Sequence, residues 1–148
     1  MYRVIEPAFT GIFNFITTSL PLRIAEINAE ISDGITLPIP DVYEMINRPN
    51  NQANTAFSMN LSDIIYGPEE FGTQYIDLEF SIHIFMKGAE ATIDTLLIRY
   101  MDAVNNVFMD DCSLGGTVDT SGVNKSGKAA DVSIGAIECE CKARITFA

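Results

Sequence analysis

An α+β fold is the class that the sequence predicts, with a mostly antiparallel sheet packed by one long amphipathic helix and by N-terminal helices. Apolar and polar residues alternate over residues 76–86, and the side chains of a strand point to alternate faces of its sheet. Over residues 89–110 apolar residues instead recur three or four positions apart, which is the spacing of one helix face. This helix is therefore expected to cover the apolar side of the strand that precedes it.

Helical spacing also runs through the first 31 positions, where the apolar residues are Ile5, Phe9, Ile12, Phe13, Ile16, Leu20, Ile24, Ile27 and Ile31. Pro7 suits a first helical turn. Ser19 and Pro21 suit the start of a second helix, as an N-cap and a first-turn residue. Two helices, or one long helix bent at residues 19–21, both fit this pattern. Asp33 and Gly34 are expected to form the turn that follows.

The middle of the chain is predicted to be extended. Residues 35–40 contain two prolines, which cannot donate backbone hydrogen bonds, so a covering strap or an edge strand is expected there. Residues 47–55 are predicted to form a polar loop. Alternation over residues 57–61 predicts a strand, with a bulge or strand end at Asp63. A loop over residues 66–74 then leads to the strand at residues 76–86.

A long polar segment separates the second helical region from the last strand. Residues 111–131 are rich in Gly, Ser, Thr and Asp, and we predict a flexible arm there within a single domain of residues 1–148. Val118 and Val123 are expected to lie on one side of a hairpin, with residues 124–128 at its tip. Connections of this length are usually functional or disordered.

The last strand changes its pattern once and carries charges of both signs. Its apolar positions are Val132 and Ile134 before Gly135 and odd-numbered residues after it, so a bulge is expected at Gly135. The polar face after that point consists of Glu138, Glu140, Lys142 and Arg144. Such a face can pair with cross-strand charges in the same sheet, or with its own copy on a neighbouring subunit.

Composition narrows the classes of function. The chain has 148 residues, a length typical of one domain, and a formal net charge of −11 from 20 acids and 9 bases. This charge disfavours binding to phosphates, which requires Lys and Arg, and fits either a solubilising surface or one that repels DNA. No apolar run approaches the roughly 20 residues of a membrane span, and no secretory signal is recognised. We therefore expect the whole chain to be made in a cytoplasm.

The three cysteines predict neither a disulfide framework nor a metal site. Cys139 and Cys141 share one strand face, with Cα atoms expected roughly 6.6 Å apart, which is a poor geometry for a disulfide. They are expected to be buried in the apolar row, in a reducing compartment. One histidine and a distant Cys112 leave no second pair of ligands, so no metal and no cofactor are predicted.

No catalytic residue is predicted. His83 shares a strand face with Ser81, Glu79 and Asp77, which are the residue types of a hydrolase triad. Neighbours on that face start roughly 6.6 Å apart at Cα, whereas a triad needs the base within hydrogen-bond reach of both partners. A solvated strand face is the preferred interpretation. Residues 113–117 also lack the lysine of a phosphate-binding loop.

Three stretches of the chain carry a resemblance to a known family. They are residues 20–30 (LPLRIAEINAE) followed by 33–38 (DGITLP), residues 99–104 (RYMDAV) with 114–119 (LGGTVD), and residues 130–147 (ADVSIGAIECECKARITF). Together with the order of the predicted elements, this pattern resembles the small neck and tail-completion proteins of long-tailed bacteriophages, including tail terminators. These families have no catalytic signature that could be sought here.

The resemblance implies a structural virion protein that forms a ring, commonly a hexamer, at the head-proximal end of a phage tail. Its implied partners are further copies of itself and the neighbouring tail-tube and neck or connector proteins, with DNA passing through the lumen unbound. Its implied location is the virion, after assembly in the host bacterial cytoplasm. The residues expected at the subunit interface are Glu138, Glu140, Lys142, Arg144, Leu114, Val118 and Val123.

Three alternatives remain open at this point. Another virion or tail-tube subunit differs from a terminator in position rather than in class. A soluble acidic binding module, such as an inhibitor that mimics a nucleic-acid backbone, also fits the negative charge. A small hydrolase would require a pocket that contains His83.

Overall fold

We describe the protein from a computed structural model, which defines residues 4–45, 54–68, 72–87, 92–129 and 135–147. These residues form two helices and five strands. Their order is α1 (Ile5–Glu30), β1 (Val42–Glu44), β2 (Thr55–Tyr66), β3 (Gln74–Met86), α2 (Ile93–Asp110), β4 (Thr120–Lys128) and β5 (Gly135–Phe147). The predicted α+β class is confirmed.

The five strands form one mixed sheet in the order β1-β2-β3-β5-β4. The pairs β2–β3, β3–β5 and β4–β5 are antiparallel, and only the short β1 runs parallel to its neighbour β2. The register of β2 against β3 shifts between Leu61 and Asp63, which confirms the predicted bulge. The mostly antiparallel sheet of the prediction is therefore present.

The N-terminal region forms one continuous helix, which is the second of the two predicted alternatives, and the separate N-terminal helices of the predicted fold class are not confirmed. Pro21 lies inside α1 and removes one backbone donor, yet the helix continues to Glu30. The side chains at helical spacing on both sides of Pro21 are buried in the same core, and they are Ile12, Ile16, Leu20, Ile24 and Ile27. Burial of this continuous apolar stripe offsets the cost of the proline, so no break forms.

Both helices pack on the same face of the sheet. The ring of Phe80 on β3 contacts Phe9 of α1 and Phe108 of α2, with ring centroids 6.0 and 6.3 Å apart. From Ile76 onward, the even-numbered residues of β3 point to this side and are buried, as the alternation predicts: Ile76, Leu78, Phe80, Ile82, Ile84 and Met86. One hydrophobic core therefore lies between the helices and the sheet. Neither helix in the described part of the chain has the length and apolar content that a membrane span requires.

The predicted strap, residues 35–40, follows α1 and is hydrogen-bonded to both helices. The Asn28 side chain donates to the Leu37 carbonyl at 3.0 Å and accepts from the Leu37 N–H at 2.8 Å. The Tyr100 hydroxyl of α2 donates to the Pro38 carbonyl at 2.5 Å. Burial raises the pKa of Tyr100, so this hydroxyl keeps its proton and remains a donor. Residues 35–40 form no strand, and the strap alternative is the one observed.

The predicted flexible arm is a part of the sheet over its described residues. Residues 112–119 form turns, and residues 120–128 form β4, which pairs with β5 along its length. Residues 124–128 thus lie within a strand and are not a hairpin tip, because the backbone of β5 offers them a ladder of hydrogen-bond partners. Leu114 and Val118 are buried in the core. Residues 130–131 of the predicted arm lie outside the described residues.

The strand β4 is one of the two outer strands of the sheet, and β1 is the other. The register of β4 against β5 shifts between Val123 and Lys125. Lys125 and Lys128 lie on this strand, together with two glycines. The Lys128 ammonium contacts the Asp94 carboxylate of α2 at 2.6 Å.

Several predictions fall on residues that the structure does not describe. They concern the apolar positions Val132 and Ile134 before Gly135, most of the polar loop at residues 47–55, and the first turn of the helix predicted from residue 89. Within the described range, that helix begins at Ile93 and ends at Asp110, as expected.

Candidate functional site

The sheet face opposite the helices is polar, and among the described residues no helix covers it. We call it the open face. Its side chains come from four strands: Ser58, Asn60 and Asp63 on β2; Asp77, Glu79, Ser81 and His83 on β3; Glu138, Glu140, Lys142 and Arg144 on β5; and Lys125 on β4. Alternation along each strand places them together, because every second residue of a strand faces the same side.

A buried carboxylate with two cations lies at one end of the open face. Asp77 is only 3% exposed, and Arg144 donates to both of its oxygens at 2.8 and 3.0 Å. The Lys142 ammonium lies 3.3 Å from the same carboxylate. The Arg144 hydrogen bonds, followed by Lys142, lower the pKa of Asp77 against the opposing effect of burial. The guanidinium also lies over the Tyr75 ring, 4.0 Å from its centroid.

His83 lies at the other end of the open face, between two polar strand neighbours. Its register partners are Ser58 on β2 and Glu138 on β5. His83 Nε2 lies 3.4 Å from Glu138 Oε2, whereas His83 Nδ1 and Ser58 Oγ are buried without a hydrogen-bond partner. Ser58, His83 and Glu138 thus form a row across three strands that the sequence analysis did not identify. Only the register of two distant strands could have revealed it.

Neither of these polar sets has the geometry of a catalytic triad. In the set predicted along β3, Asp77 is held by Arg144, and Ser81 Oγ lies 3.5 Å from Ser62 Oγ. In the cross-strand row, Ser58 is fully buried and makes no hydrogen bond to His83. A nucleophile needs both its base and access to a substrate, and this serine has neither.

A groove of about 400 Å³ runs over the centre of the open face. Its walls include four carboxylates, which are Asp63, Glu79, Glu138 and Glu140. Ser62, Ser81 and Asn124 supply further polar groups. Lys125 lies on the neighbouring strand, opposite Glu140 in register. The groove is therefore a negatively charged channel in the surface.

The residues predicted at a subunit interface occupy four different environments. Glu138, Lys142 and Arg144 contact charged or titratable groups of the same sheet, which is the first of the two predicted alternatives. Leu114 and Val118 are buried in the core, so they are not available on the surface of a single chain. The other two are the partly buried Val123, which faces the helix side of the sheet, and the exposed Glu140. Their role at an interface stays a prediction.

The cysteines lie where the sequence places them. Cys139 and Cys141 are buried free thiols, and Cys112 is exposed. Burial raises the pKa of Cys139 to about 11 and also raises the pKa of Cys141, so both remain protonated and unreactive at neutral pH. Over the described ranges, no three His, Cys, Asp or Glu side chains are grouped so that they could hold a metal ion.

Eight large apolar side chains of the described residues are exposed, and three of them, Ile31, Ile39 and Met45, lie between α1 and β2. The other five form two groups at separate places. Ile65 and Tyr66 lie at the end of β2, where Tyr66 is 64% exposed. Leu22, Ile98 and Met109 lie on the helices, where Met109 is 76% exposed. Ile65 points to the open face opposite Asp77, whereas Tyr66 lies opposite Ile76 and points to the helix side of the sheet. The first group therefore lies at the end of β2, and the second belongs to the helical layer.

No protein-family model matches this chain, and a search of curated proteins finds no match for it. What the molecule offers for recognition is given by its own surface, which has one polar open face and two groups of exposed apolar side chains.

Proposed function

We propose that this protein is a structural virion protein that forms a ring at the head-proximal end of a phage tail, as a tail terminator or in head–tail joining. The observation that carries the proposal is the pair of exposed apolar groups, one at the end of β2 and one on the helices. Exposed apolar side chains that lie apart on one chain cannot bury each other. They can do so between neighbouring copies.

The separation of the two groups favours a ring over a symmetric dimer. A ring is built from heterologous contacts, in which one surface of each copy meets a different surface of the next. Ile65 and Tyr66 of one copy would pack on Leu22, Ile98 and Met109 of its neighbour. The five side chains differ in shape and include the flexible Met109, a residue type that adapts well to contact surfaces.

Charge supports the same function in a different way. A formal net charge of −11 on every copy would give a ring an acidic lumen. Such a lumen repels the phosphate backbone, so DNA would pass without being bound. The partners of the ring would be the tail-tube protein on one side and a neck or connector protein on the other.

A second candidate is a soluble acidic binding module, such as a mimic of a nucleic-acid backbone. The specific observation in its favour is the groove with four carboxylates on the open face. This candidate predicts a monomer that binds a basic partner, whereas the ring predicts a stable assembly of copies.

The test is size-exclusion chromatography with light scattering, followed by negative-stain imaging of the purified protein. We expect a mass that is a multiple of the protomer mass and ring-shaped particles. The double variant Ile65→Ser with Tyr66→Ser should be monomeric and folded, because these side chains are exposed and contribute little to the core. The matched control Ile39→Ser changes an exposed isoleucine of the strap and should leave the ring intact. A wild-type chain that remains monomeric at all concentrations contradicts the ring.

A further inference from the structure

We propose that the open face is the docking site for a Lys- or Arg-bearing segment of a different protein, with the groove receiving its cationic side chains. This inference goes beyond the ring, because it assigns a second surface and the chemistry of its partner. It does not depend on the apolar contacts between copies, and it stands for a monomer as well as for a ring.

The first observation is that the open face is closely packed, although no helix or strand of the described residues lies over it. Ser58 is fully buried, and Asp77 and Ser81 are 3% and 7% exposed. All three point away from the helices. Closely packed polar side chains with fixed positions form a preorganised surface, which reduces the entropy lost on binding.

The second observation is that the groove presents acceptors and negative charge. Its four carboxylates accept hydrogen bonds and donate none. The cations closest to them on the same face are largely engaged, because Lys142 and Arg144 both contact Asp77. Lys125 faces Glu140 from the edge strand. Carboxylates therefore outnumber free cations in the groove, which is complementary to a basic segment.

The third observation is a buried polar row beside the groove. Ser58 Oγ, Asn60 Oδ1 and His83 Nδ1 are buried without a partner. Glu138, which lines the groove, lies 3.4 Å from His83 Nε2. Ser81 connects this row to the groove, because it lines the groove and lies opposite Asn60 in register. The accessible acceptors are the oxygens of the groove itself, and guanidinium and ammonium groups, which only donate, match them.

A second copy of the chain is a poor occupant for the same surface. Two copies each carry a formal net charge of −11 and repel each other. The described cations that already contact a carboxylate of their own chain are Arg23, Arg99, Lys128, Lys142 and Arg144. We therefore assign the basic segment to a different protein. Nucleic acid is disfavoured by the same charge.

The probe for the test is a short fluorescein-labelled peptide of alternating arginine and glycine, with citrulline in place of arginine as the uncharged comparison. Binding to the full-length chain is measured by fluorescence anisotropy at physiological salt. The groove variant is Glu79→Gln with Glu140→Gln. The control variant is Glu30→Gln with Asp102→Asn, which removes the same charge from exposed positions on the helices.

We expect the groove variant to weaken binding about tenfold, because two ion pairs of up to about 1 kcal/mol each are lost. The control variant should change the Kd less than about twofold, and the citrulline peptide should not bind. Amide shifts of the wild-type chain should move on β2, β3 and β5 at open-face positions when the peptide is added.

Three results would overturn the proposal. They are no binding of the arginine peptide by the wild-type chain, equal weakening by the groove and control variants, and shifts confined to the helices. Light scattering on the same samples separates this proposal from the ring. If the groove variant changes the assembly mass, the open face is a contact between copies and the proposed basic partner is wrong. If only the peptide affinity changes, the docking site stands whatever the oligomeric state.

Discussion

The two faces of the sheet are held by different kinds of interaction, although the same strands supply both. Even-numbered residues of β3 enter an apolar core against two helices, whereas Asp77, Glu79, Ser81 and His83 face the opposite side. Stability of the first face comes from the burial of apolar area and has no intrinsic dependence on pH. The open face is stabilised instead by ion pairs and hydrogen bonds, whose strength depends on protonation and salt. The comparison indicates that the core maintains the fold and that the open face is the chemically responsive surface.

The largest expected effect comes from truncating the same residue type on each face. Phe80→Ala removes a ring buried between Phe9 and Phe108, and we expect a loss of about 3–5 kcal/mol in the free energy of unfolding. Phe85 lies at the end of the open face, opposite Ala56 and Ala136 in register. Phe85→Ala removes this partly exposed ring and should cost about 1 kcal/mol. Urea denaturation monitored by circular dichroism measures both. Equal losses would show that the open face is packed as tightly as the core.

A smaller effect is expected at the buried carboxylate, and it depends on pH. Asp77→Asn removes the charge that pairs with Arg144 and Lys142, and should cost about 1–2 kcal/mol at neutral pH. The pKa of Asp77 is lowered in the folded chain, so its stabilisation is complete above the usual carboxyl pKa of about 3.9 and is lost as pH falls through the lower folded value. The difference between wild type and variant should therefore close below about pH 4.

The check on this pH dependence is a series of urea denaturation curves from neutral to acidic pH. Asp102→Asn is the control, because this exposed aspartate lies on the helix surface. It should show almost no difference from wild type at any pH. If the difference in the free energy of unfolding between wild type and Asp77→Asn stays constant down to strong acid, the charge of Asp77 does not cause the difference.

The smallest effect is expected at Ser58. Its hydroxyl is buried without a partner, so Ser58→Ala removes an unsatisfied group together with little apolar contact. The free energy of unfolding should stay within about 0.5 kcal/mol of wild type or rise, because an unpaired buried polar group is itself costly. Thermal unfolding measures the change. A loss above about 1 kcal/mol would mean that the hydroxyl is hydrogen-bonded in solution.

The local sequence pattern was sufficient to predict the elements in which apolar residues recur at a regular spacing. The period of two in β3 and the helical period of α2 are visible in the sequence and were confirmed. Local signals could not decide whether α1 is continuous. Pro21 favours the start of a new helix, whereas burial of the apolar stripe against the sheet favours one helix, and this burial is not visible in the local sequence. The strand β4 was missed because its Gly- and Ser-rich sequence has low strand propensity. It forms against β5, which lies later in the chain.

The open face was predicted in part. Alternation along β3 placed Asp77, Glu79, Ser81 and His83 on one side, and this is confirmed by the register. Their partners on β5 could be predicted only as charges of the same sheet. The pairs Asp77–Arg144 and His83–Glu138 depend on the alignment of two strands more than fifty residues apart. That alignment is fixed by core packing, because a shift by one residue would turn every side chain to the wrong face.

The edge strand β4 has a consequence for behaviour at high concentration. An outer strand exposes unpaired backbone groups, and another chain can add to them and start a fibril. Lysines, glycines and an irregular register, as found on β4, are the features by which natural sheets prevent such growth. The β4 edge is therefore protected from amyloid-like pairing, and ordered association on this side of the sheet is left to side-chain surfaces.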